Sequence, residues 1–210
     1  MKDALRRLSI ISALLMALSF VASLTVLDWL WAIVSAIGIL ALAVPKLAKK
    51  DAFLYHRSLL IISIVPFLLY LAVFIVNIFI GFDQYRYPSL IIMPLASMAC
   101  GYMLFSSVDA VSEAVISKRW LFLFSVAFAC TISVLYSFFL FYAMRDMGFL
   151  MYNSDFDGAG APLPTDANHF FMLPINLAIV LSIVYGLLID LSLKKVEAED
   201  LTRYYGRNEA

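Results

Sequence analysis

Six long apolar runs, separated by short polar segments, make up most of this chain. The runs lie near residues 8–26, 29–44, 58–80, 87–108, 120–144 and 170–193. The fifth run has 25 residues without a charge, between Lys118 and Arg119 on one side and Arg145 and Asp146 on the other. Because a helix rises about 1.5 Å per residue, such a run exceeds the roughly 30 Å hydrocarbon core of a bilayer. The pattern predicts an all-α polytopic integral membrane protein with six transmembrane helices.

Composition agrees with this class. The 210 residues are 64% hydrophobic and 14% charged, whereas about a quarter of the residues in an ordinary globular domain are charged. The formal net charge is zero, which gives no electrostatic attraction to nucleic acid. We expect the lipid bilayer to be the main partner, with a membrane-protein subunit or a second copy of the chain as further candidates.

The cationic residues predict the orientation. Lysine and arginine in short loops favour the cytoplasmic side, and placing the N-terminus there puts 13 of the 15 cationic side chains on that side. Arg86 and Arg145 fall on the other side. We therefore expect a multi-pass protein of the plasma or inner membrane with both termini in the cytoplasm. It has one domain over residues 1–193, an outer loop over 145–169 and a cytoplasmic tail over 194–210.

Three uncharged polar residues inside the runs are candidate intramembrane site residues: Asn77, Tyr136 and Asn176. No charged residue lies at mid-membrane, where an ionisable group is a functional hypothesis by default. Hydrogen bonds between helices, at about 0.6–2 kcal/mol each, are the favoured role for the asparagines. The alternative is that Asn77 and Asn176 pair or line a polar vestibule.

The outer loop carries a partial calcium motif. Asn153, Asp155, Asp157 and Gly158 match positions one, three, five and six of an EF-type loop. Pro164 stands where that loop needs a bidentate glutamate. An ordinary polar loop is favoured and no cofactor is expected, with outward-facing calcium as the alternative. The candidate metal ligands are Asn153, Asp155, Asp157, Asp166 and His169.

Other features indicate packing. Ser97-x-x-x-Gly101 and Ser182-x-x-x-Gly186 predict close helix contacts. Trp29 and Trp31 are expected in the interfacial aromatic belt. Cys100 and Cys130 fall at similar estimated depths in neighbouring runs and could approach each other, although buried cysteine usually acts as a small apolar residue.

Two short motifs open the second and fifth runs. They read Asp28-Trp29-Leu30-Trp31 and Lys118-Arg119-Trp120-Leu121-Phe122. They resemble the Asp-Arg-x-x-Trp and Lys-Trp-Leu-Phe elements of the YjdF-type family of small six-span inner-membrane proteins. The resemblance extends over most of the chain, mainly in the register of the spans. It implies a six-span fold and no particular activity, because none is established for that family.

The chain departs from that family at three polar positions. The family's Tyr-Asp-x-x-x-His element corresponds here to Tyr-Pro-Ser-Leu-Ile-Ile at residues 87–92. Its acidic residues late in span five correspond to the segment after Tyr136, and its acidic position before span six corresponds to Asp166 or Asn168. If those groups form a polar site in the family, most of that site is missing here.

Three functional hypotheses follow. No catalytic motif is present and both histidines fall outside the runs, so a non-enzymatic membrane protein, acting as a scaffold or accessory subunit, is favoured. The first alternative is a transporter or channel for a small neutral solute, using helices kinked at Pro66, Pro94 and Pro174. The second is a degenerate membrane enzyme with an outward-facing metal site.

Overall fold

Six α-helices form the described part of the chain. The computed structural model describes residues 2–48, 55, 57–80, 86–112, 116–146 and 164–194. In chain order the helices are α1 (Lys2–Thr25), α2 (Trp29–Leu47), α3 (Arg57–Ile80), α4 (Arg86–Ser112), α5 (Lys118–Asp146) and α6 (Pro164–Lys194).

The predicted fold class is confirmed. All six helices are long and apolar enough to cross a membrane, and the described residues are helical apart from short connections. Several boundaries differ from the apolar runs, including the start of α1 at Lys2 and the end of α4 at Ser112. Helix α2 continues through Pro45 to Leu47, and α6 begins at Pro164, before the run that predicted it.

Helix α4 is the centre of the bundle. In its apolar window 72% of the residues are buried, against 28% in α1 and in α6. It packs against α2, α3, α5 and α6, while α1 packs against α2 and α3. The residues of α4 therefore face protein on most sides, and the outer faces of α1 and α6 carry large apolar side chains.

The small residues predicted to mark packing faces lie at close helix contacts. A Cβ added at Gly101 would lie 3.0 Å from Phe128 Cδ1 of α5. A Cβ at Gly186 would collide with Met98 of α4 and lie 2.9 Å from Phe122 Cε2 of α5. Gly38, which the sequence did not single out, has the same role in α2, with Met16 Sδ 2.8 Å and Cys100 Sγ 3.0 Å from such a Cβ.

The turn between α1 and α2 has the hydrogen bonds of a Schellman motif. Leu27 N–H donates to Leu24 O over 3.3 Å, and Asp28 N–H donates to Ser23 O over 2.9 Å. In this motif the residue after the helix adopts the left-handed conformation, usually as glycine. Here that residue is Leu27, with φ of 58°. The motif reverses the chain so tightly that α2 begins at Trp29.

The connection from α4 to α5 is held by a buried carboxylate. Asp109 is 4% exposed, and its Oδ1 accepts a hydrogen bond from Ile116 N–H over 2.8 Å. Residues 116 and 117 are not helical. Asp109 thus ties α4 to Ile116, two residues before the start of α5.

Candidate functional site

A buried carboxylate lies where α1 turns into α2. Asp28 is the N-cap of α2, and its Oδ1 accepts from Trp31 N–H over 3.1 Å. Its Oδ2 accepts from the Tyr136 hydroxyl of α5 over 3.0 Å. Asp28 is 4% exposed and Tyr136 is 1% exposed. An N-cap oxygen satisfies an N–H that the first helical turn leaves unpaired, so this one side chain both starts α2 and attaches it to α5.

An aromatic stack lies one turn further along α2. The Trp31 ring stacks on Tyr70 of α3 with centroids 3.9 Å apart and planes 9° from parallel. Phe67 meets the edge of the same indole at 6.0 Å. The interfacial position expected for Trp31 is therefore wrong, because the ring is fully buried between α2 and α3. Trp29, on the opposite face of the first turn, is 51% exposed.

A tyrosine hydroxyl replaces the backbone hydrogen bond that Pro45 removes from α2. Proline has no N–H, so it leaves the carbonyl four residues earlier without its helical donor. That carbonyl belongs to Ala41, and Tyr55 Oη lies 2.6 Å from Ala41 O. Met103 O of α4 is a second acceptor, 3.1 Å from the same hydroxyl. Burial raises the pKa of Tyr55, which keeps its hydroxyl protonated as a donor.

The same relationship occurs in α3. Pro66 leaves the carbonyl of Ile62 without a donor within the helix. The Tyr185 hydroxyl, from α6, donates to Ile62 O over 2.6 Å. Pro45 and Pro66 therefore each leave a carbonyl that accepts a hydrogen bond from a tyrosine outside the helix. The donor to α2 is Tyr55, in the connection that follows this helix. The donor to α3 is Tyr185 of the last helix, α6.

The three polar residues predicted within the membrane do not come together. Tyr136 binds Asp28. Asn77 is 4% exposed, and its Nδ2 donates to Val73 O of its own helix over 2.8 Å. Asn176 lies exposed on the surface of α6. The Asn77 side chain thus hydrogen-bonds within its own helix, and the Asn176 side chain faces away from the bundle.

The predicted outer metal site falls largely outside the described residues. Asn153, Asp155 and Asp157 lie there, while Asp166 and His169 occupy the first turns of α6. Among the described side chains, no three of the His, Cys, Asp and Glu type group around a common point. The calcium hypothesis remains a prediction.

The two cysteines face different neighbours. Cys100 is fully buried beside Gly38 of α2, whereas Cys130 is half-buried beside Ser182 of α6. Both are free thiols. The structure shows different neighbours for the two thiols, and the suggested approach of Cys100 to Cys130 stays a prediction.

The side chains that matter here escaped sequence analysis for different reasons. Asp28 separates the apolar runs of α1 and α2, and its position in the sequence does not indicate that it is buried. Its N-cap role had a signal, since Asp immediately before an apolar run is a helix-start pattern. The tyrosine that donates to the carbonyl freed by Pro66 has no local signal, because Tyr185 lies 123 residues from Ile62.

Comparison with known proteins identifies no relative. No protein-family model, curated protein or solved structure matches this chain. The resemblance to the YjdF-type family therefore stays a prediction.

Proposed function

We propose that this chain is a non-enzymatic, multi-pass membrane protein that serves as a scaffold or accessory subunit of a membrane complex. In this proposal it resides in the plasma or inner membrane with both termini in the cytoplasm. The orientation rests on the distribution of lysine and arginine, which favour the cytoplasmic side. The proposed role rests on the hydrogen-bond partners of the buried polar side chains and on the position of one exposed polar side chain.

The buried polar groups with hydrogen bonds support a structural role. Asp28 and Tyr136 bind each other, and Tyr55 and Tyr185 bind carbonyls freed by prolines. Asn77 binds its own backbone. A solute pathway needs polar groups that face a shared space, and these groups face helix backbones and one another. Their geometry favours helix packing over transport.

The observation that carries the proposal is the position of Asn176. This carboxamide is exposed on the face of α6 that also presents Val180 and Val184, which are 56% and 49% exposed. Asn176 is the second residue of the apolar window of α6, Ile175–Leu193. A carboxamide without a partner is less favourable in hydrocarbon than in water, and transfer to a fully apolar solvent costs on the order of 4–8 kcal/mol. A transmembrane helix of a partner subunit with a hydrogen-bonding side chain at this depth removes that penalty.

Photo-crosslinking in the native membrane tests the proposal. A photoreactive residue at Val180 is predicted to give one protein adduct of constant mass, which Asn176→Leu abolishes. The matched control is Leu18 on α1, an exposed apolar position (58% exposed) on another face of the bundle. It is predicted to give lipid adducts.

The mass of the adduct separates the two forms of the proposal. A mass equal to the protein plus a different chain supports an accessory subunit, and twice the protein mass supports a scaffold built from copies of this chain. Lipid adducts alone at Val180, matching those at Leu18, would contradict the proposal, as would an adduct that Asn176→Leu leaves unchanged.

A further inference from the structure

An open-sided apolar cleft of about 420 Å³ lies between α1 and α2, next to the connection that holds Tyr55. This volume falls in the range of about 300–1,000 Å³ that is usual for small-molecule sites. The cleft lies within two helices that are apolar enough to cross a membrane, so a bound molecule reaches it from the bilayer.

The α1 side of the cleft is one face of the helix. Its lining residues are Ser9, Ile10, Ala13, Leu14 and Ala17, which follow the three- and four-residue spacing of a helical stripe. The exposed Arg6 precedes Ser9 and Ile10 by three and four residues and so continues this stripe. The two alanines leave the space that the cleft occupies.

The α2 side mirrors this arrangement. Its lining residues include Ile39, Leu42, Ala43 and Lys46, again at helical spacing. Because α1 and α2 run in opposite directions, Arg6 near the start of α1 and Lys46 near the end of α2 lie at the same end of the cleft. Both side chains are exposed. The cleft is therefore apolar along its length and cationic at one end.

The dimensions match one leaflet of a bilayer. The twelve residues from Arg6 to Ala17 are separated by eleven helical rises, about 16 Å in all, and half of the hydrocarbon core is about 15 Å. Basic residues at the mouth of a groove between transmembrane helices attract anionic lipid headgroups. The buried Tyr55, whose hydroxyl donates to Ala41 O, also lines the cleft.

The geometry points to a bound anionic phospholipid. One acyl chain lies along the two apolar stripes, and the phosphate lies between Arg6 and Lys46. The lipid belongs to the leaflet on the side of the N-terminus. This inference is independent of the proposed partner on α6, because the cleft lies on the opposite elements of the bundle, α1 and α2.

Binding to the purified full-length protein in detergent tests the inference. The probes are phosphatidylglycerol and phosphatidylcholine with identical acyl chains, and the readouts are native mass spectrometry and thermal stability. Phosphatidylglycerol is predicted to be retained and to raise Tm more than phosphatidylcholine does. Inorganic phosphate alone is predicted to leave Tm unchanged, since it has no acyl chain.

Charge-removing variants locate the site. Arg6→Ala and Lys46→Ala are each predicted to weaken phosphatidylglycerol binding about five-fold, and the double variant roughly twenty-five-fold. Both residues are exposed, so these changes leave the core intact. Arg119→Ala is the matched control, an exposed cation at the start of α5 outside the cleft, and it is predicted to bind as the wild type does.

A cleft-filling variant tests the acyl-chain position. Ala13→Phe is predicted to reduce retention of both lipids, whereas Ala127→Phe on the exposed face of α5 is predicted to leave it unchanged. Equal stabilisation by the two lipids, or wild-type binding by the Arg6→Ala/Lys46→Ala double variant, would overturn the inference.

Discussion

Tyr136 of α5 donates its hydroxyl hydrogen to Asp28 Oδ2 over 3.0 Å, although 108 residues separate the two. The other Asp28 oxygen caps α2 through Trp31 N–H. The pair joins the fifth helix to the first turn of the second, at the end of the bundle where α1 reverses.

A double-mutant cycle measures this tie. Tyr136→Phe is predicted to lower the free energy of unfolding by about 1–3 kcal/mol, because it leaves a buried carboxylate oxygen without this donor. Asp28→Ser keeps an N-cap oxygen and removes the acceptor. In the Asp28→Ser background, Tyr136→Phe is therefore predicted to cost much less. Equal costs in the two backgrounds, measured by reversible unfolding in mixed micelles, would show that the pair contributes nothing.

The proline and tyrosine pairs give a second cycle. Tyr185→Phe is predicted to cost about 0.6–1.7 kcal/mol, as for other hydrogen bonds between membrane helices. Pro66→Ala restores the helical donor to Ile62 O, so Tyr185→Phe should cost less in that background. The control is the other proline. Pro45→Ala restores the helical donor to Ala41 O, which Tyr185 does not contact, so it is predicted to leave the cost of Tyr185→Phe unchanged. Coupling of Tyr185 to Pro45 equal to its coupling to Pro66 would argue against specific pairing.

The left-handed residue of the α1–α2 turn predicts a stabilising substitution. Leu27 has φ of 58°, and this conformation costs a residue with a Cβ about 1–2 kcal/mol relative to its ordinary one. Leu27→Gly is predicted to raise thermal stability and Leu27→Val to lower it, since β-branched residues tolerate positive φ least. Val26→Gly, at the preceding turn residue, is the control and is predicted not to stabilise. A lower Tm for Leu27→Gly would contradict this.

The close approach at Gly186 predicts a cost for a single methyl group. Gly186→Ala places a Cβ against Met98 and 2.9 Å from Phe122 Cε2, and overpacking of this kind typically costs about 1–3 kcal/mol. Gly38→Ala meets mainly the flexible Met16 side chain and gains helix propensity, so it is predicted to cost less. The order of the two Tm values checks this, and a larger loss for Gly38→Ala would reverse the assignment of the tighter contact.

The helical class and the number of long apolar helices could be predicted from sequence because lipid imposes a simple rule. In lipid, every backbone N–H and C=O must be hydrogen-bonded within the protein, so a long uncharged run that crosses the membrane is expected to form a helix. The small-residue motifs at Gly101 and Gly186 were also informative, since close helix approach needs the absence of a side chain. These properties depend on single residues or on their spacing, so they can be recognised in the sequence.

The pairings between helices could not be predicted in the same way. Nothing near Pro66 indicates that its freed carbonyl binds Tyr185, because the donor depends on which helices become neighbours. Trp31 and Trp29 have the same local composition, yet one is fully buried against Tyr70 and the other is 51% exposed. Their difference comes from the direction in which the tight turn starts α2. These contacts depend on how the helices pack against one another and cannot be recognised in any single segment.

Cysteine accessibility in sealed membrane vesicles tests most directly whether the buried polar groups serve packing instead of a solute path. Ser35→Cys and Asn77→Cys are introduced after Cys100 and Cys130 are replaced by alanine, and a membrane-impermeant maleimide is applied from each side. Both native side chains are buried, Ser35 fully and Asn77 to 4% exposure. Leu27→Cys and Ser117→Cys, at exposed positions on opposite ends of the bundle, are the controls. We expect the two controls to react, each from its own side, and residues 35 and 77 to react from neither. Labelling at residue 35 or 77 at rates near those of the controls would contradict this expectation and indicate a water-filled path.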